Sequence, residues 1–181
     1  MNRHLETCKQ RATLEAAREK LPKGQTTPHL HLLVEGRYLP MYWMHLDVPA
    51  SAMLKTLDQF LRDIWLECCG HLSAFKIDGV RYTVDEGLDE YVWGDRQKHM
   101  RVRLDTVLHP GQRYSYEYDF GSTTELVIKV LSEHEARAEK EPVQVLARNT
   151  VPWLTCDVCE KPATSMCSEC KYEGKGYLCD T

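Results

Sequence analysis

Five of the eight cysteines in this chain of 181 residues lie between Cys156 and Cys179. They are Cys156, Cys159, Cys167, Cys170 and Cys179, spaced C-x2-C-x7-C-x2-C-x8-C. A CxxC turn lets two thiolates aim at one cation, because the backbone NH groups of the loop fold toward the sulfurs, and a second pair then completes a tetrahedron around Zn²⁺. The segment carries little apolar material beyond Val158, Met166, Tyr172, Tyr177 and Leu178, and so small a module usually needs a metal to fold. The spacing therefore predicts a structural zinc module over residues 152–181. A redox dithiol of the thioredoxin type opens a helix after a strand, and neither pair sits in such a setting. The pairing of the thiols is open. In one reading Cys156, Cys159, Cys167 and Cys170 hold a single ion and Cys179 is spare. In the other, a cross-brace, the first pair joins a third pair beginning at Cys179, and the second pair joins a fourth further on. The cross-brace carries the expectation that the chain is part of a longer protein extending past Thr181.

Two carboxylates are a second candidate. Glu117 and Asp119 stand at i and i+2 on a strand, so both can face one side and could serve a metal-dependent hydrolase or nuclease. Against this, Asp119 can pin a turn at Gly121 by accepting backbone NH groups. Tyr114, Tyr116 and Tyr118 form a stripe that could stack bases or pack inward. Cys68, Cys69 and His71, with His45, could gather around a metal, or the thiols could simply be buried. His29 and His31 share one side of a strand and read as a satisfied pair.

Composition bounds the partners. The formal net charge is -4, with 43% hydrophobic and 28% charged residues. This does not suggest a basic face for phosphate backbones. No apolar run approaches the ~18–20 residues that span a membrane, and residues 1–23 lack the apolar core of a secretory signal. We therefore expect a cytoplasmic protein, whose thiols favour metal over disulfides.

The elements that must position these residues can be read from periodicity. A helical arm is expected over 1–22, and an α+β domain over 29–148. Met53, Leu54, Leu57, Phe60, Leu61, Ile64 and Trp65 mark one face of an amphipathic helix, with Lys55, Asp58, Gln59, Arg62 and Asp63 on the other. Either Ser51 or a Thr56–Gln59 capping box should start it, and Gly70 should end it. Strands are expected near 29–35 and 41–48. Residues 71–84 read as a hairpin turning at Asp78-Gly79, 85–99 as an acidic loop, and 100–108 as a strand entering a turn. A second hairpin bends at Gly121-Ser122, a charged connection follows, and 142–149 forms a last strand. The expected architecture is α+β: an antiparallel or mixed sheet with one main helix on a face, an N-terminal helix and a small zinc tail.

The centre of the chain resembles the plasmid pRiA4b ORF-3-like family. The resemblance rests on Val48-Pro49 closing a strand; Leu54, Leu57, Leu61 and Trp65 on the helix; His71, Leu72, Phe75 and Ile77 on the next strand; and Tyr116, Tyr118, Asp119, Phe120 and Gly121. It covers about residues 29–131. Members are also described as insertion-element passenger proteins of a TnpR type. The resemblance implies a compact α+β domain in a plasmid or mobile-element setting, and no particular reaction. A serine resolvase would need a nucleophilic serine among arginines, a cluster this sequence lacks. Where many members carry an aromatic residue and a histidine after the YDFG stretch, this chain has Ser122-Thr123-Thr124-Glu125. Where many begin the second strand I-W-R-R, it has Tyr42-Trp43-Met44-His45. Two function classes follow: a binding module that holds a protein or nucleic-acid partner, or the hydrolase built on Glu117 and Asp119.

Overall fold

The computed structural model describes Lys9 and residues 26–66, 70–84, 96–137, 141–150, 153–167 and 170–180. Eight strands form one sheet: β1 (Thr26–Gly36), β2 (Trp43–Pro49), β3 (Ser73–Ile77), β4 (Val80–Thr83), β5 (Arg96–His99), β6 (Arg113–Tyr118), β7 (Thr124–Arg137) and β8 (Gln144–Arg148). Their order across the sheet is β5-β4-β3-β6-β7-β1-β2-β8. All neighbours are antiparallel except β4 and β5, which run parallel. The amphipathic helix α1 (Leu54–Trp65) lies against one face. A two-stranded ribbon of β9 (Ser165–Met166) and β10 (Tyr177–Leu178) belongs to the cysteine segment.

The expected α+β architecture with two helices does not stand. The fold is dominated by its sheet, and α1 is the single α-helix among the described residues. The helical arm proposed over 1–22 falls, apart from Lys9, outside them. Two stretches taken for loops are strands. Arg96–His99, at the end of the supposed acidic loop, pairs with β4; residues 85–95 lie outside the described residues. The charged connection after Leu131 continues as β7, with Ser132–Arg137 registered against Thr26–His31 of β1. Residues 100–108, expected as a strand, hold a short 3₁₀ turn at Leu104–Thr106.

The core lies between α1 and the sheet. Leu30, Leu32 and Val34 of β1 alternate inward, opposite Val48, Leu46 and Met44 of β2. Leu54, Leu57 and Leu61 of α1 close over them and over Phe75 and Tyr116. Truncating Leu57, which is fully buried, leaves a cavity. We expect Leu57→Ala to lose about 2–5 kcal/mol, read as an unchanged urea m-value with a lower midpoint.

The start of α1 shows why the expected caps are absent. Met53 is the N-cap and has no side-chain cap bond. The first helical NH groups are instead bonded by another backbone segment: Leu54 donates to the Val102 carbonyl at 2.9 Å, and Lys55 to that of Met100 at 3.1 Å. In return Leu104 and Asp105 donate to the carbonyls of Ala52 and Ala50. A helix end needs partners for its free NH groups, and here the carbonyls of Met100 and Val102 provide them. The helix gives way at Leu66, before the Gly70 expected to end it.

Candidate metal centre

Beyond β8 the chain makes a compact cysteine knuckle. Cys156 NH donates to the Lys161 carbonyl at 2.7 Å, and Glu160, with φ 59°, donates back to Cys156 at 3.2 Å. Asp157 ties this turn to the β9–β10 ribbon: its carboxylate accepts the NH groups of Gly176 at 2.6 Å and Tyr177 at 2.8 Å. These bonds hold the Asp157 carboxyl below the usual carboxylate range. Thr164 NH reaches the Leu178 carbonyl, and Cys167 NH that of Gly176.

These ties carry the chain end back to the knuckle. The sulfurs of Cys156, Cys159 and Cys179 come within 4.8 Å of one another, with Cys159 Sγ 3.3 Å from Cys179 Sγ. That separation is far beyond the ~2.05 Å of a disulfide. It is closer to the ~3.8 Å that sulfurs adopt around a tetrahedral zinc with Zn–S bonds of ~2.3 Å. The NH of Val158, joined by those of Cys179 and Cys159, holds the buried Cys156 thiol below its ordinary pKa. The Lys161 NH acts the same way on Cys159, but the thiols of Cys179 and Cys156 beside it outweigh that and leave its pKa raised. Three thiols crowding one another in this way would be relieved by a shared cation.

Cys167 and Cys170 stand outside this group. Cys170 NH points at Cys167 Sγ at 3.5 Å, and the neighbouring Cys167 thiol raises the Cys170 pKa. Among the described residues the arrangement thus brings together the first pair and Cys179, a group that does not include Cys167 or Cys170.

The other candidates are placed as follows. Glu117 lies on the sheet face opposite α1, between Lys76 (2.6 Å) and Arg81 (2.9 Å). Desolvation pushes its pKa up, but hydrogen bonds from the two cations prevail and hold it below its ordinary value. A lowered folded pKa stabilises the fold above the unfolded value, and that contribution is lost as pH falls through the folded one. We expect Glu117→Gln to flatten part of the stability loss seen between about pH 5 and pH 3, measured by urea unfolding across that range. Asp119, with φ 56°, accepts the Gly121 NH at 3.0 Å and has His71 Nδ1 at 3.7 Å. Its carboxylate holds the turn. Tyr114, Tyr116 and Tyr118 are buried in the core rather than displayed for stacking. His45 packs against His31, with 2.9 Å between ring nitrogens, and Cys68 and Cys69 lie outside the described residues.

A family model for plasmid pRiA4b ORF-3-like proteins matches residues 30–160. The chain belongs to that family. The match takes in the sheet from Leu30 of β1 onward and the first cysteine pair of this pRiA4b ORF-3-like protein. A solved structure shares the fold: that of a protein of unknown function from Methanosarcina mazei Go1, with a TM-score of 0.59 and 16% identity. The likeness covers 70% of this chain and 72% of that one. No curated protein matches this chain. No helix among the described residues is long and apolar enough to cross a membrane.

Sequence reasoning missed one polar centre. Asp58, assigned to the solvent face of α1, is 2% exposed. Its carboxylate accepts Ser73 Oγ at 2.5 Å, Tyr116 OH at 2.8 Å and Arg62 Nε at 3.0 Å. Arg62 in turn reaches Ser73 Oγ and stacks over the Tyr118 ring. The available signal was Asp58 and Arg62 at i and i+4, one turn apart beside apolar neighbours.

Proposed function

We propose that this pRiA4b ORF-3-like protein is a non-enzymatic binding module whose C-terminal segment folds around a structural zinc ion and presents a protein-binding surface. The convergence of Cys156, Cys159 and Cys179 carries the reading. Three thiols, one of them acidified by backbone NH groups, suit a thiophilic cation of zinc's class. When bound, the ion neutralises the thiolates and fixes the knuckle to the chain end. Cys167 and Cys170 supply a second pair of the same chemistry. The exposed apolar residues of the same segment favour a protein partner: Trp153 is 77% and Val158 81% exposed, and Met166 and Tyr177 face solvent as a cross-strand pair. Exposed apolar groups of this kind mark interaction sites. The plasmid setting of the family fits a mobile-element role.

The test is the zinc content of protein purified without chelators, by native mass spectrometry under reducing conditions. Wild type should carry zinc, and Cys159→Ser should lose one equivalent. Metal-free wild type with freely reactive thiols would sink the proposal. The hydrolase reading has less behind it, since Glu117 is engaged by two cations and Asp119 by its own turn.

A further inference from the structure

The sheet face opposite α1 carries a second group of metal-ligating side chains, made by β1, β2 and β7. Asp47 Oδ1 lies 3.3 Å from His29 Nδ1 and 3.3 Å from His134 Nε2. His29 and His134 are register partners across β1 and β7, and Asp47 stands on β2. The site is built into the structure: His29 is 1% and Asp47 6% exposed. Yet neither ring nitrogen of His29 has an aligned hydrogen bond, and neither has Asp47 Oδ1. Buried polar groups are rarely left so, and those that are call for an ion or a water. The neighbouring His31 and His45 make the contrast, their ring nitrogens meeting at 2.9 Å.

The spacing is informative. A carboxylate hydrogen-bonded to an imidazolium closes to ~2.7–2.9 Å. Ligand atoms ~2.0–2.1 Å from a tetrahedral cation stand ~3.3–3.4 Å apart, which matches both Asp47 contacts. A cation between them would satisfy a His29 lone pair and Asp47 Oδ1 at once. The third edge does not meet this spacing. The three ligand atoms do not all lie within 4.8 Å of one another, as those of the cysteine group do, and the His29 and His134 rings stand 6.2 Å apart between centroids, so coordination requires the His134 ring to move. His134 has a side chain 40% exposed, so its ring has room to turn inward.

We infer that His29, Asp47 and His134 form a second metal site, separate from the thiols, for a late first-row divalent cation. Two imidazoles and one carboxylate suit this class, and remaining positions would be filled by water. The test uses the full chain, reduced, stripped of metal and titrated with Co²⁺. Native mass spectrometry counts the ions, and thiolate-to-cobalt charge-transfer absorption reports those on cysteine. Wild type should hold one equivalent more than the thiolate absorption accounts for. His134→Ala should lose that equivalent with the thiolate absorption unchanged, and its exposed position keeps the fold intact. Asp47→Asn should lose it too. If His134→Ala and wild type bind the same number of ions, or all bound cobalt sits on thiolates, the site does not exist. Failure of the cysteine centre would show independently, as missing charge-transfer absorption.

Discussion

A Cys179→Ser variant should lose its metal and, with it, the ordered structure of residues 153–180. The expected effect is large because almost nothing else holds that segment together. Among its described residues only Cys156 and Gly176 are buried, and the β9–β10 ribbon has two residues per strand. A structural zinc contributes an apparent ~10–16 kcal/mol in small thiolate modules near neutral pH, far more than such a ribbon could. Native mass spectrometry should show one zinc fewer, and limited proteolysis should cut within 153–180 while the sheet stays protected. Cys170→Ser is the control and should keep the ion shared by Cys156, Cys159 and Cys179. Equal zinc content in wild type and Cys179→Ser would remove Cys179 from the centre. Without metal, Cys159 and Cys179 are already near enough to oxidise together with a small movement. Air exposure of stripped protein should thus trap a disulfide between them, detectable by peptide mapping.

The second large effect is expected at Asp58. Its buried carboxylate accepts three bonds at once. Asp58→Ala would strand the Arg62 guanidinium and the Tyr116 hydroxyl. Breaking a buried charged pair by removing one partner typically costs about 3–5 kcal/mol, a large share of the ~5–15 kcal/mol that stabilises a domain. Burial first, and then the Asp58 charge, push the Tyr116 hydroxyl far above its ordinary pKa, so it stays a neutral donor. Tyr116→Phe removes one bond and should lose only about 1–3 kcal/mol. Urea unfolding of the two variants would rank them. A loss below about 1 kcal/mol for Asp58→Ala would mean the network is dispensable.

Legibility in the sequence followed the apolar pattern. Helix α1 could be read because its leucines repeat at helical spacing above an unbroken apolar face. The β3–β4 hairpin could be read because Asp78 and Gly79 both take positive φ, which the Asp-Gly pair favours. The β6–β7 hairpin showed in its alternating tyrosines. Elements without such patterns were hidden. β5 is Arg-Gln-Lys-His at the edge of the sheet, with only Gln97 buried. The second half of β7 is charged because it extends past the core, and its partner β1 lies at the other end of the domain sequence. The α1 cap was invisible because it is made by backbone carbonyls of residues that follow later. The thiol spacing pointed to the group of sulfurs that could hold a metal, but which sulfurs meet depended on Asp157 tying the knuckle to the β9–β10 ribbon. The His29–Asp47–His134 group was hidden because three strands must assemble before its members meet.

That late meeting governs how the chain can fold. β1 sits near the middle of the sheet, and its long partner β7 is synthesised about a hundred residues later. Until then both edges of the β1–β2 hairpin are open, since the other partner of β2, β8, comes later still, and α1 has part of a sheet to cover. Non-local pairing of this kind slows folding and leaves an aggregation-prone edge in the meantime. The family fold should therefore form late, after residue 137 has been made, and in a single cooperative step rather than hairpin by hairpin.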